Sequence, residues 1–427
     1  MIKVGIASTD ITPQQSVWLT GYGTRDRKSE GVYQSLNVGA ISIASVEDEV
    51  LIFTADLIGY DLAYAASAKL RIAESTGLLP HQVVLTATHT HCAPFFYPWA
   101  MPGEVEKGYA EFLKDRLVAV AVSAKSRQVE GNIAFSRGRS AFGVNRRLPD
   151  GKGGIRFAPN PDGAMDRALD TLWFKNANGK PIGSLTIFGC HPTSRGGYLI
   201  GGDYPGFLCR VLSQKTEAPA FFATGCAGNI RPWFKGEDAG FARPTLEELE
   251  VASGKMADEV MQSQQNEIAV NADKLRIASE FHQLPYAHPP DEAALSDKAD
   301  NHNNPLIRQW ASEMLKLVEA GGLPSSCPQE IQVVQFNRDL RAVFLGGEVL
   351  TEIGMRIKDA LQPATTITAA YSNGLIAYVP SKETYDLGGY EVDGSHFYFL
   401  RPAPFAKEIE DLIVARTVEM VRRFPIT

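Results

Sequence analysis

An α/β fold is the class this sequence predicts: a layered mixed β-sheet domain flanked by helices, with a metal site at strand ends. Three observations carry it. Short apolar runs alternate with segments of helical periodicity through much of the 427 residues. The apolar runs end in polar residues beside glycine or proline, where open α/β sheets gather their ligand sites. One such run, Val83-Val84-Leu85, leads into Thr88-His89-Thr90-His91 before Ala93-Pro94 ends it.

Composition narrows the function classes. A hydrophobic share of 44% and a charged share of 21% describe an ordinary globular protein. The net charge is −7 and there is no basic stripe, so no nucleic-acid partner is expected. No apolar run approaches the ~18–20 residues of a transmembrane segment. The first residues enter a strand pattern without a basic and then apolar leader, and the five cysteines are scattered without CxxC spacing. Reduced thiols and a cytoplasmic location are therefore expected, with the cysteines as small buried hydrophobes. Length alone predicts two or three domains. Oligomeric state cannot be read from it.

Residues 4–11 alternate toward Asp10-Ile11-Thr12-Pro13, and Thr20-Gly21-Tyr22-Gly23-Thr24-Arg25 is a tight loop near the site. Residues 38–46 and 50–58 flank Glu47-Asp48-Glu49 as a hairpin. Asp61 caps a helix running to Ser75, which Gly77 stops. Residues 105–126 carry Tyr109, Leu113, Leu117 and Val120 at helical spacing, and residues 133–136 form a strand. Gly143-Val144-Asn145-Arg146-Arg147 is polar and reads as a loop. Residues 166–193 give two strands and a turn, ending at Cys190-His191-Pro192. Residues 202–206 open a helix, residues 219–224 form a strand, and Gly225-Cys226-Ala227-Gly228-Asn229 turns sharply after it. Thr245 caps a helix to Gln264. Residues 285–330 read as a helical insertion or lid. Strands at residues 332–336, 342–345 and 367–371 and a final helix over residues 405–424 complete the chain.

In an extended chain, residues i and i+2 share one face roughly 6–7 Å apart. His89 and His91 are therefore expected side by side at a strand end, as metal ligands or as two surface histidines. His191 fits a ligand or a buried structural histidine equally well. Glu348, after Gly346-Gly347, fits a ligand position or an ordinary acidic helix start.

Taken in order, Asp10-Ile11-Thr12-Pro13, Gly21-Tyr22-Gly23, Thr88-His89-Thr90-His91, Asn145-Arg146, His191-Pro192-Thr193-Ser194, Ala227-Gly228-Asn229, Gly347-Glu348 and Tyr378-Val379-Pro380 with Tyr385 and Tyr390-Glu391 resemble the catalytic domain of the neutral, non-lysosomal ceramidases. The resemblance implies one Zn2+ held by His89, His191, Glu348 and Tyr378. It implies a zinc-activated water attacking an N-acyl amide carbonyl of a small-molecule or lipid substrate, within sphingolipid metabolism for the family. His91, Arg146 and Tyr390 then act on the reacting group, and Asn229 and Arg231 line the substrate. Arg231 replaces a family serine, which suits an anionic substrate or an outward, structural arginine. The resemblance is to the catalytic domain alone, so one catalytic domain over residues 1–427 is expected, without the immunoglobulin-like domain of the secreted members. The alternatives are a zinc hydrolase of a soluble non-ceramide amide or ester, or a non-catalytic metal- or ligand-binding homologue.

Overall fold

The computed structural model describes residues 2–236 and 240–424. Among them, nine strands form the main sheet. Across it run Ala220–Thr224, Pro181–Phe188, Ala168–Asn176, Val129–Arg139, Ile2–Asp10, Asn37–Ala44, Glu49–Ala55 and Val83–Ala87, with Ile268–Val270 added beside Val129–Arg139. The central pairs are antiparallel and the outermost pair at each edge is parallel. A second sheet orders Arg276–Pro285, Ser326–Gln335, Leu340–Leu345 and Thr365–Ala369, the last pair parallel. The α/β class and the layered sheet are as expected.

Alternation along the strands builds the layers. Phe53, Leu85 and Trp173 turn to one face of the main sheet, under helices Leu62–Thr76, Lys107–Ser126, Asp203–Thr216 and Leu246–Gln264. Their neighbours Ile52, Val84 and Phe174 turn to the other face and pack on Val334, Phe344 and Ile367 of the second sheet. Helices Thr351–Ala360 and Ile409–Arg422 cover the far side of that sheet. Each such buried side chain contributes about 1.5–3 kcal/mol.

Parallel neighbours need a crossover, and three helices supply it. Leu62–Thr76 returns the chain to Val83–Ala87, with Asp61 accepting from the N–H groups of Ala63 and Tyr64 and Gly77 left-handed at φ 73°. Asp203–Thr216 returns it to Ala220–Thr224, and Thr351–Ala360 to Thr365–Ala369. The chain therefore leaves three pairs of parallel strands at their C-terminal ends, where His89, His191 and Glu348 follow.

Residues 370–373 bring those ends together. The Ala370 N–H donates to Thr224 O at 3.0 Å and the Asn373 N–H to Leu85 O at 2.7 Å. Asn373 Oδ1 accepts the Leu85 N–H at 2.9 Å. Thr224 Oγ1 also donates to Thr88 O at 2.7 Å. Both edge strands of the main sheet are thereby covered.

Two expectations are corrected. Gly143–Pro149 is a strand, not a loop, paired with Ile155–Asn160 and Ile230–Pro232. Its polar side chains are buried against hydrogen-bonding partners rather than apolar ones, so it lacks an apolar signature. The helical part of the 285–330 stretch ends before Ser326, where a strand resumes opposite Pro285. Helices Glu292–Asn301 and Pro305–Glu319 fill it, and Trp310 anchors it by donating from Nε1 to Arg401 O at 2.7 Å.

Candidate metal centre

The strand before the two histidines stops at Ala87, and His89 adopts φ 65°. A turn, not strand alternation, brings the imidazoles together, with Nε2 atoms 3.3 Å apart. Asp203, Tyr371 and Asn373 are also left-handed, at φ 55°, 54° and 58°. Each such residue costs of order 1 kcal/mol or more, and such strain collects at functional sites.

Three imidazoles share one arrangement. His89 Nδ1 lies 2.5 Å from Ile58 O, His91 Nδ1 3.0 Å from Gly21 O and His191 Nδ1 2.9 Å from Ala227 O. A carbonyl oxygen only accepts, so each Nδ1 carries a proton, which leaves Nε2 as the ring's available ligand atom. Those nitrogens converge. His89 Nε2 is 3.0 Å from His191 Nε2. Glu348 Oε2 stands 3.3 Å from His89 Nε2 and 3.1 Å from His191 Nε2, and the Tyr378 hydroxyl is 3.3 Å from His191 Nε2. Burial pushes the His191 imidazole down to about 4 and that of His91 well below its usual range, so both stay neutral.

Bare nitrogens and an unpartnered carboxylate oxygen facing one another repel unless a cation lies between them. Glu348 Oε2 is buried without a hydrogen-bond donor. The nitrogen and oxygen donors, each imidazole oriented by a backbone carbonyl, fit a zinc-type ion. The three histidines form a group close enough to hold a metal. His91, set apart in the sequence reading as a substrate-handling residue, thus stands inside the same cluster. It is 8% exposed, whereas His89 and His191 are fully buried, so it occupies the open side.

Local structure sets the rest. Gly347, at φ 93°, turns the chain so that the Glu348 N–H reaches Ala377 O at 2.8 Å. The His191 N–H donates to Ile230 O at 3.0 Å. Arg146 donates from one terminal nitrogen to the Tyr378 hydroxyl at 3.1 Å and from Nε to Glu391 Oε1 at 2.8 Å. Arg147 takes the other Glu391 oxygen at 2.6 Å. The Tyr390 ring lies edge-on to Tyr378 at 5.3 Å and is 44% exposed. Arg231 donates to Thr193 O at 3.2 Å. Asn229 donates to both Glu352 oxygens at 2.9 and 3.0 Å and accepts the Thr351 N–H at 3.0 Å. Both ends of its carboxamide are engaged, so the side chain braces this loop against the helix that follows Glu348.

The sequence reading missed three contributors. Tyr371 lies over His89 at 4.0 Å between centroids, with its hydroxyl 3.3 Å from His191 Nδ1. Arg25 donates to His91 O at 2.8 Å. Glu391 pairs the two arginines. Arg25 in its Gly-rich loop and Glu391 beside Tyr390 stood in recognisable motifs, whereas nothing near Tyr371 signalled a role.

No family model matches this chain, and comparison with curated sequences finds no match. Comparison with solved structures does. A neutral ceramidase from Pseudomonas aeruginosa superposes with a TM-score of 0.76 at 21% identity, over 100% of this chain and 75% of that one. The chain has the fold of a neutral ceramidase. A structure described as a ceramidase complexed with C2 agrees, with a TM-score of 0.77 at 19% identity over 100% of this chain and 76% of the other. The fold that the motif order implied is therefore present, ceramidase-like from end to end of the chain. No helix among the described residues is long and apolar enough to cross a membrane.

Proposed function

We propose that this protein is a zinc-dependent amidohydrolase that cuts N-acyl amides. The observation that carries the reading is the gathering of three imidazole Nε2 atoms, with Glu348 beside those of His89 and His191 and Tyr378 beside that of His191, each ring fixed by a backbone carbonyl. The ceramidase fold supports an amide as the bond attacked. His89, His191, Glu348 and Tyr378 would hold the ion. When bound there, zinc supplies a Lewis acid and a water acidic enough to ionise near neutral pH.

The chain's own groups do the rest. His91, on the open side, takes a proton at Nε2 and returns it to the leaving nitrogen. Gly21 O holds that ring at the right angle. Tyr390 donates its hydroxyl to the carbonyl oxygen as negative charge develops on it. Arg146 acts through Tyr378 as a positioning residue, because its guanidinium is bound to that hydroxyl and to Glu391. Five free cysteines support a cytoplasmic setting, as part of the same reading.

Dialysis against a chelator, followed by zinc add-back, tests the proposal on a panel of acyl amides. Hydrolysis should vanish on chelation and return with about one zinc per chain. Turnover that survives chelation would sink it.

A further inference from the structure

Among the described residues, Arg231 is a cation without an acid partner. Its strand, Ile230–Pro232, pairs with Gly143–Pro149, setting Arg231 opposite Val144 and Ile230 opposite Asn145. The Phe157 ring lies beside both neighbouring cations: the Arg146 guanidinium is 5.6 Å and that of Arg231 5.3 Å from its centroid. Phe241 stacks on Arg231 at 4.3 Å. A hydrogen bond to Thr193 O, two residues beyond His191, holds the guanidinium, while its Nε is buried without a partner. Among the described residues no carboxylate pairs with it.

Nearby charges do not neutralise it. Glu391 is shared by Arg146 and Arg147. Arg25 is buried on the carbonyl oxygens of Thr20, His91 and Gly197. Asp203 is occupied by the N–H groups of Arg195 and Tyr204. Among the described residues, this side of the cluster therefore carries more cation than anion. Withdrawing a guanidinium from water without a counter-charge is unfavourable, and burial lowers its pKa. An incoming anion would supply what is missing, by charge-assisted hydrogen bonds from the free donors.

We infer that the substrate of this site carries an anionic group, a carboxylate or a phosphate, which Arg231 binds beside Thr193 while the amide lies at the histidine cluster. The inference rests on the amidohydrolase reading for the position of the amide. Arg231 is then a specificity-determining residue, with Phe157 and Phe241 packed against its guanidinium.

Three amides sharing a dodecanoyl chain test it: those of glycine, of ethanolamine phosphate and of ethanolamine. The zinc-loaded enzyme should favour one or both anionic amides over the neutral one by tenfold or more in kcat/KM, mainly through KM. The preferred anion identifies the group. In Arg231→Gln that ratio should fall toward one, and in Arg231→Lys it should partly recover. An equal rate on all three, or a ratio unchanged in Arg231→Gln, overturns the inference. If none is hydrolysed, the amidohydrolase reading fails, and binding of the matching unreactive sulfonamides by titration calorimetry decides the charge preference. Tighter binding of an anionic sulfonamide, lost in Arg231→Gln, sustains it, and equal binding overturns it.

Discussion

Glu348 and Tyr378 are register partners in a two-residue parallel pairing, Glu348–Val349 beside Tyr378–Val379. Paired residues of a parallel ladder send their side chains to the same face. The carboxylate and the phenol thus reach the cluster together, and the Gly347 turn aims both.

This shared delivery separates holding the ion from using it. His89→Ala removes a fully buried donor at the centre of the cluster, so bound zinc should fall from about one per chain to near zero. His91→Ala removes the donor on the open side. It should keep the metal and lose roughly 10²–10⁴-fold in kcat, the usual worth of a positioned acid–base group. Metal analysis beside steady-state kinetics reads both. Loss of zinc from His91→Ala would make His91 a ligand instead.

Gly21→Ala probes the orientation of His91 without touching its chemistry. A Cβ at Gly21 would lie 2.5 Å from His91 Nδ1, and its φ of 96° is strained for any side chain. The ring must swing away from the Gly21 carbonyl. Expected is a stability loss of about 1–2 kcal/mol in thermal unfolding, together with a lower kcat at unchanged zinc content. An unchanged kcat would show that this orientation does not matter.

Glu391→Gln strips the carboxylate from two buried arginines. Breaking one member of a buried ion network costs about 3–5 kcal/mol. Denaturant unfolding should show a drop of that order. Activity should fall as well, because Arg146 loses the anchor that keeps it on Tyr378.

His396 gives a pH signature independent of the metal. It packs against Trp310 and Phe397, its Nδ1 has no partner, and burial lowers its pKa to about 4, with a smaller push from Lys298. The folded state therefore binds fewer protons than the unfolded one between about pH 6.5 and 4. The stability present above that window is lost as pH falls through it, by up to about 3 kcal/mol. His396→Asn should flatten the slope of unfolding free energy between pH 7 and 5 relative to the parent chain. Parallel slopes would remove His396 from the account.

How much of this was legible depends on how local each cause is. The helix from Leu62 to Thr76 was readable because Asp61 and Gly77, its cap and its stop, are neighbours in sequence. His89, His191 and Glu348 were readable because each ends an apolar run at a glycine or proline. The strand Gly143–Pro149 was not, because its stability comes from partners such as Glu391, far along the chain. Tyr371 was invisible for the same reason: its contact with His191 exists only in the folded molecule. The turn at His89 was also hidden, since an extended chain and a left-handed turn both set two imidazoles near one another.

The bridge made by residues 370–373 bears on how the protein is synthesised. A nascent chain leaving the ribosome acquires His89 and His191 long before the segment that joins Leu85 to Thr224 emerges. Until then two β-edges stand open to other chains, and the histidine cluster still lacks Tyr378, which follows that segment. A truncation before Ala370 should therefore yield a sticky, aggregation-prone fragment rather than a weak enzyme, and chaperone engagement should persist until residues 370–373 have docked.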